Sequence, residues 1–559
     1  MKANVKRLAA SAACLITASI LNAQPVDQQA HIKTLADQAK QTLEDLGEKV
    51  DQLSGGGMNF IQFATVGQQL INTLSFVVVL QAPVSNPRES EDFISRLAGN
   101  VQSEESVAWC GTNALVGFND SGSFVKTMTT LTSPSGSFSF NGWSRSPNGG
   151  ASFTDRGVLI ADPPGFPLPP GIRFRDLFGD PVLGCSSSTT FYYASLARDT
   201  PMVGPPLSGI SVSRSNDGGA TFEGAIMVVS KPAANHMLDK PWMVVDGATI
   251  HVTYTDFFLG DPRCPPPGVG ASIEYVRSIN GGVTWSTPIV IDTACGSTPF
   301  VQGSQVAVGP ARSGLVYVAW EAFPAGLGPG RTIRVKKSID NGANFPPVTV
   351  FTLVSAVTAI GAGNRVQGLF RTFVDLQGLA VDRSNNPETA GNVYISWHDG
   401  RNKSQSDPFA SPGCRGVGTY CFGDVLLSRS TNQGLAWSPP FRVNEDTLTL
   451  VDRMFPAVIV DNAGRVRTVF YDRARDDRNF LIDTVVGTSV TGGATWTFDR
   501  VTPRNFPAII AQDVLVNPAY MGDYLGIAVD KLNTMPGVIV AWGDNSLGDP
   551  NVVAVKRIP

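Results

Sequence analysis

One eight-residue stretch recurs six times and leaves this chain few folds to choose from. The copies begin at Ser146, Ser215, Ser278, Ser338, Ser430 and Ser489 and end at Phe153, Phe222, Trp285, Phe345, Trp437 and Trp496. Two residues after each Ser stands a short polar residue: Asn148, Asp217, Asn280, Asp340, Asn432 or Thr491. Four residues after it stands a Gly: Gly150, Gly219, Gly282, Gly342, Gly434 or Gly493. Each part has a mechanical role in a hairpin. The Asp or Asn bonds backbone amides just ahead, and the Gly accepts a positive φ at which a side chain would clash. The aromatic then plugs the start of the next strand. A hairpin turn that recurs six times predicts an all-β chain of antiparallel strands.

The stretch resembles the Asp box, or BNR repeat, of sialidases and related β-propeller proteins, over roughly the last four-fifths of the chain. In that family the box joins the two outer strands of a blade, on the face away from the active site. The resemblance therefore bears first on fold.

A second echo lies between the boxes, where a β-rich run ends in an acid. It is seen at Val116–Asp120, Val252–Asp256, Val318–Glu321, Ile395–Asp399, Val469–Asp472 and Val540–Asp544, with Phe191-Tyr192-Tyr193 as a looser member. Counting these gives seven units against six boxes. The expected architecture is a seven-bladed propeller whose last blade borrows its outer strand from the N-terminal run Phe76–Leu80. Such closure removes the exposed sheet edge. A six-bladed ring, as in the sialidase catalytic domain, is the alternative.

Composition agrees: 57 Gly and 39 Pro, with only 16% charged residues, suit a protein of many tight turns. A net charge of −4 excludes the basic field that nucleic acid requires, and four His make a His-rich metal centre a poor expectation. Lys2, Lys6 and Arg7, the apolar run Leu8–Leu21 and Ala23 read as a signal peptide over 1–23. No later segment is apolar enough to span a bilayer, so the expected location is secreted or periplasmic, and the chain is read as a monomer.

Residues 24–57 carry an apolar stripe, Ile32, Leu35, Ala39, Leu43, Leu46, Val50 and Leu53, ended by Gly55-Gly56-Gly57. This is a short amphipathic helix and a glycine linker ahead of a propeller over 58–559. Three heptads favour packing or a spacer over a coiled coil. Six cysteines follow the signal segment. Cys414 and Cys421 are expected to staple one loop, Cys264 and Cys295 flank one repeat, and Cys110 and Cys185 occupy similar positions in adjacent repeats. Free buried thiols are the alternative.

In a propeller the inner strands start, and the second strands end, at the same mouth of the axial funnel. The starts supply Glu104, Glu105, Asp239, Lys240, Arg371, Asp452, Arg453, Tyr520 and Asp523. The ends supply Asp256, Glu321, Asp399, Asp472 and Asp544, with Arg401, Arg473 and Arg475 just beyond. The sialidase resemblance implies arginines that hold a substrate carboxylate, a Tyr–Glu nucleophile pair and an Asp acid/base. Arg371, Arg453 and Arg473 have the chemical type for the first task, Tyr520 with Glu321 for the second and Asp256 for the third; Tyr471 is of the same type. Asp239, Lys240 and Asp523 would add substrate contacts. The family's Arg-Ile-Pro stretch, expected early in the propeller, occurs here only as Arg557-Ile558-Pro559.

Simpler roles exist for the same residues. The strand-end acids can bond loop amides, Asp239–Lys240 can be a local ion pair, and Trp320, Trp397 and Trp542 belong in a core. No cofactor is required. The acid ring could hold Ca²⁺, although no contiguous calcium-loop motif is present. Two functions remain: a sialidase-like propeller that recognises, with or without hydrolysing, an acidic glycan or glycoprotein, and a non-catalytic exported scaffold that binds protein or glycan.

Overall fold

The computed structural model describes residues 26–46, 53, 57–58, 60–61, 102–130, 133–296, 300–323, 331–346, 351–356, 378–400, 422–444, 451–508, 521–546 and 552–558. Residues 1–23, expected to be a signal peptide, lie outside them, as do Phe76–Leu80, Arg371, Arg401, Cys414, Cys421 and Tyr520. The described strands form seven antiparallel sheets in chain order; successive strands are neighbours except that Ile172–Leu177 and Val182–Cys185 both pair with Phe191–Pro201, and Phe506–Pro507 pairs back with Leu481–Ser489. Residues of all seven innermost strands line one axial channel of about 320 Å³. The protein is a seven-bladed propeller, and the six-bladed alternative falls.

Local chemistry explains the blades. In blades 1 to 6 the third strand ends on the Ser of the repeated stretch, as in Asn141–Ser146 and Leu207–Ser215. That Ser Oγ accepts the amide of the Gly four residues on, at 2.8–3.0 Å in all six turns. The short polar side chain accepts the amide four residues beyond itself, Asp217 from Thr221 at 3.0 Å for example. Gly219 adopts φ 80° there and lies against Leu115, so a Cβ would strike that side chain at 2.3 Å. The turn thus bonds within its own blade and packs on its neighbour.

Blade 7 has three described strands, Gly526–Val529, Val538–Asp544 and Val552–Ile558. Its expected fourth strand falls outside the described residues. Arg557 and Ile558 end the last strand, as their position suggested. Blade 7 meets blade 1 through side chains: Trp109, Val116 and Phe118 pack with Ile539, Ala541 and Val555 in one buried cluster.

Two helices decorate the ring. Helix α1, Val26–Leu46, buries Ile32, Leu35 and Ala39 in the largest apolar cluster, with Met237 and Val252 of blade 3. His31 on the same face lies 2.8 Å from Asp176 and stacks on Phe174. The stripe is a packing face, and full burial of Ile32 and Leu35 contributes roughly 1.5–3 kcal/mol each. Helix α2, Ser121–Thr130, follows the second strand of blade 1. Asp120 caps it, accepting the Gly122 amide at 3.0 Å and the Ser123 hydroxyl at 2.6 Å.

The predicted bridges Cys110–Cys185 and Cys264–Cys295 are both formed. The first ties blade 1 to blade 2, and the second ties a loop of blade 3 to that blade's outer strand. Among the described helices none is long and apolar enough to cross a membrane.

Candidate functional site

Four of the described inner strands share a defect at the mouth of the channel. Strand register shifts between Ser103 and Ser106, Asp239 and Trp242, Gln302 and Gln305, and Met454 and Ala457. Glu104, Lys240, Gly303 and Phe455 take positive φ inside those bulges, as does Asp180 where the inner strand of blade 2 is broken. Pro follows directly in Asp180-Pro181, Lys240-Pro241 and Phe455-Pro456. Having no N–H, Pro suits the unpaired position of a bulge. Left-handed backbone at a side-chain-bearing residue stores strain of order 1–3 kcal/mol, a feature that clusters at functional sites.

These bulges bring Glu104, Asp180 and Lys240 together with Asp523. The Lys240 ammonium lies 2.5 Å from Asp523 and 3.0 Å from Glu104, with Lys240 4% exposed and both acids fully buried. It also sits 5.1 Å from the Tyr524 ring centroid. Asn119 donates to Glu104 at 2.8 Å and accepts the Asp180 amide. Burial, the Asp180 charge and a hydrogen bond between the two carboxyls push the Glu104 pKa well up, against the pull of Lys240. For Lys240 burial works against the charge, but Asp523, Glu104, Asp180 and Asp239 outweigh it and hold the ammonium protonated. Asp239 accepts Gln302 Nε2 at 2.8 Å. The Asp239–Lys240 pair is thus less a local bridge than two neighbours facing separate partners.

The N-terminal segment packs onto this end. Leu53, Gly57, Phe60 and Ile61 are buried. Gly57 is so close that a Cβ would meet Asp239 Oδ1 at 2.9 Å. Phe60 lies edge-on to Phe178 and beneath the Arg198 guanidinium, 3.8 Å from its ring centroid.

The predicted acid/base Asp256 stands in a separate cluster at the rim between blades 2 and 3. Its carboxylate meets Lys231 at 2.7 Å, Arg263 at 2.8 Å and His236 at 2.9 Å. Lys231 and Arg263 also bridge to Glu274, which accepts the Tyr254 hydroxyl at 2.7 Å. Burial alone would raise the Asp256 pKa, but the His236 hydrogen bond and the Lys231 charge pull it below the ordinary carboxylate range. Glu321 is buried at the second-strand end of blade 4, opposite Gln302 in register.

Arg453 and Arg473 come together in blade 6, both fully buried. Arg453 Nε lies 3.1 Å from Asp472, and Arg473 Nη1 lies 3.5 Å from Asp452 while donating to the Asn479 carbonyl. Arg371 and Tyr520 are not among the described residues. A Tyr–Glu neighbour pair that the sequence reading did not join is Tyr471 and Glu105. Burial pushes the Glu105 carboxyl up to about 8; burial first, and then the neighbouring Glu105 and Asp544 charges, raise the Tyr471 hydroxyl well above its ordinary value. Tyr471 already donates to the Gly543 carbonyl and accepts its amide, both at 3.0 Å.

The tryptophans are core, as expected. Trp397 and Trp542 donate to Asp399 and Asp544, so these two strand-end acids hold indoles two residues back. Among the described residues no group of three or more His, Cys, Asp or Glu is arranged to hold a metal ion.

No family model matches the chain, and no curated protein matches it. Solved structures do. An ulvan lyase of polysaccharide lyase family PL25, bound to -[GlcA(1-4)Rha3S]-, superposes with a TM-score of 0.43 at 11% identity, over 83% of this chain and 94% of its own. An α-L-arabinofuranosidase of Fusarium graminearum gives 0.41 at 10%, over 82% and 92%. The intramolecular trans-sialidase of Ruminococcus gnavus gives 0.39 at 10%, over 85% and 97%. The neighbours include sialidases and other glycan-active propellers. Likeness at this level carries no argument about chemistry; the seven blades rest on the chain's own sheet topology.

Proposed function

We propose that this protein is an exported propeller that recognises an acidic glycan at the bulged end of its axial channel. The observation that carries the reading is the strained backbone at this end, where Glu104, Asp180, Lys240 and Phe455 all take positive φ, strain of the kind that collects at functional sites. The Lys240 ammonium there is already matched by Glu104 and Asp523, so a glycan carboxylate would be met by Arg371 and not by this cluster. Export is supported by the two disulfides, which persist in oxidising compartments.

Recognition is better supported than turnover. A general acid must hold a proton near neutral pH, whereas Asp256 is kept ionised by its cations. Arg453 and Arg473 have carboxylates beside them already. Hydrolysis would thus depend on Tyr520 and Arg371.

A glycan array run beside a fluorogenic sialoside assay tests the reading. Binding confined to acidic glycans, without release of the fluorophore, is the expected result. Fluorophore release that Tyr520→Phe abolishes would replace recognition with hydrolysis. Absence of any acidic glycan from the bound set would replace it with the scaffold reading.

A further inference from the structure

A second concave site lies away from the channel, between the outer parts of blades 5 and 6. The outer strand of blade 5 is only Phe441–Arg442, whereas those of blades 1 to 4 run for five to seven residues. Beside this short strand opens a cleft of about 360 Å³. That is within the size range of small-molecule sites, about 300–1,000 Å³.

Its walls differ in chemistry. One is aromatic: Phe498 is 40% exposed and stands edge-on to the buried Phe470, with ring centroids 6.2 Å apart. Trp496 lies beside them with its indole N–H given to the Gly493 carbonyl, so what it offers the cleft is carbon surface. The other wall is polar and fixed in place. Asp483 accepts Arg500 through Nε at 2.7 Å and Nη2 at 2.6 Å, and takes the Thr502 hydroxyl as well. Asp472 is held by the Ala474 amide and Arg453. Arg475, on the rim, is exposed and has no ion-pair partner among the described residues. Both carboxylates of the cleft are matched by an arginine, so the Arg475 guanidinium is the charge in excess.

We propose that this cleft binds one acidic sugar unit of a glycan. The ring's C–H face lies on Phe498, its carboxylate pairs with Arg475, and its hydroxyls meet Asp472 and Asp483. An aromatic face with a few convergent polar groups suits a pyranose, and a planar guanidinium suits a carboxylate. The inference rests on the acidic-glycan reading of the protein but places this contact off the axis.

The test uses the full chain and isothermal titration with a short oligogalacturonate, its uncharged methyl ester and sialyllactose. Phe498 and Arg475 are exposed, so Phe498→Ala and Arg475→Gln are expected to fold, which an unchanged melting temperature verifies. The proposal requires that at least one acidic probe binds the wild type. Phe498→Ala should then weaken it about tenfold and Arg475→Gln about tenfold or more, with any binding of the methyl ester untouched by Arg475→Gln. Wild-type affinity in both variants overturns the cleft as a site and leaves the acidic-glycan reading intact. Absence of binding by both acidic probes overturns the cleft; the array decides the wider reading separately.

Discussion

Lys240 and Asp523 lie 283 residues apart in sequence, yet their charged atoms are 2.5 Å apart with almost no exposure to water. The pair ties the inner strand of blade 3 to the start of blade 7. Glu104 of blade 1 completes the bridge, 3.0 Å from the same ammonium. The mouth of the channel is therefore spanned by ionic contacts between blades that are not neighbours in the ring. Desolvation makes such contacts costly in isolation, so their stability depends on every member being present.

Lys240→Met should be strongly destabilising, because it leaves Asp523 and Glu104 facing each other in a dry site. Removing one partner of a buried pair costs about 3–5 kcal/mol. Adding Asp523→Asn should recover part of that loss, which urea unfolding of the single and double variants would reveal. Additive losses would show that the two residues do not act as a pair.

Glu105 predicts a pH dependence of stability. Its carboxyl is raised from 4.5 to about 8 by burial, so between those values the folded protein holds a proton that the unfolded chain has released. Its share of stability is full below pH 4.5 and is lost as pH rises through 8. Glu105→Gln removes this dependence. Relative to wild type its melting temperature should rise steadily between pH 5 and pH 8. A constant difference over that range would mean that Glu105 does not titrate on folding.

The parts of this fold legible in sequence were those written in local chemistry. Ser146 to Phe153 and its five counterparts fix six turns through bonds spanning four residues, and the strand echo that ends in an acid supplied the seventh unit. The Ile32–Leu35–Ala39 stripe reported a packed helix for the same reason. Helix α2 escaped because its opening Ser121-Gly122-Ser123 reads as loop, and only Asp120 before it marks a cap. The bulges had a signal in the recurring Pro after Asp180, Lys240 and Phe455, but an isolated Pro is ambiguous between a turn and a strand edge. The partners of the site residues were not legible at all. Nothing near Lys240 names Asp523, and nothing near Asp256 shows that Lys231 and Arg263 will neutralise it.

The N-terminal segment supplies a test of what covers the mouth. Leu35 is fully buried against the blades, so Leu35→Ala should cost about 2–5 kcal/mol, unlike truncation of a free spacer. Deleting residues 24–61 should lower the melting temperature and make Lys240 reactive toward an amine-directed reagent, read by peptide mapping. Equal Lys240 labelling with and without the segment would show that something else shields it.

Arg453 separates a binding role from a structural one. On sequence alone its place at the start of an inner strand suggests a guanidinium aimed at a ligand carboxylate. In the structure it has no exposure, and Asp472 at 3.1 Å and Asp424 at 3.8 Å flank it. An arginine so placed contributes by neutralising buried carboxylates, and its removal leaves them uncompensated. Arg453→Ala should therefore unfold at markedly lower urea, by about 3–5 kcal/mol, while Arg371→Ala is the variant that tests carboxylate recognition. Because Asp472 also lines the cleft beside Arg475, any loss of glycan affinity in Arg453→Ala should be accompanied by that loss of stability. An Arg453→Ala protein of wild-type stability that no longer binds the glycan would return Arg453 to the ligand site.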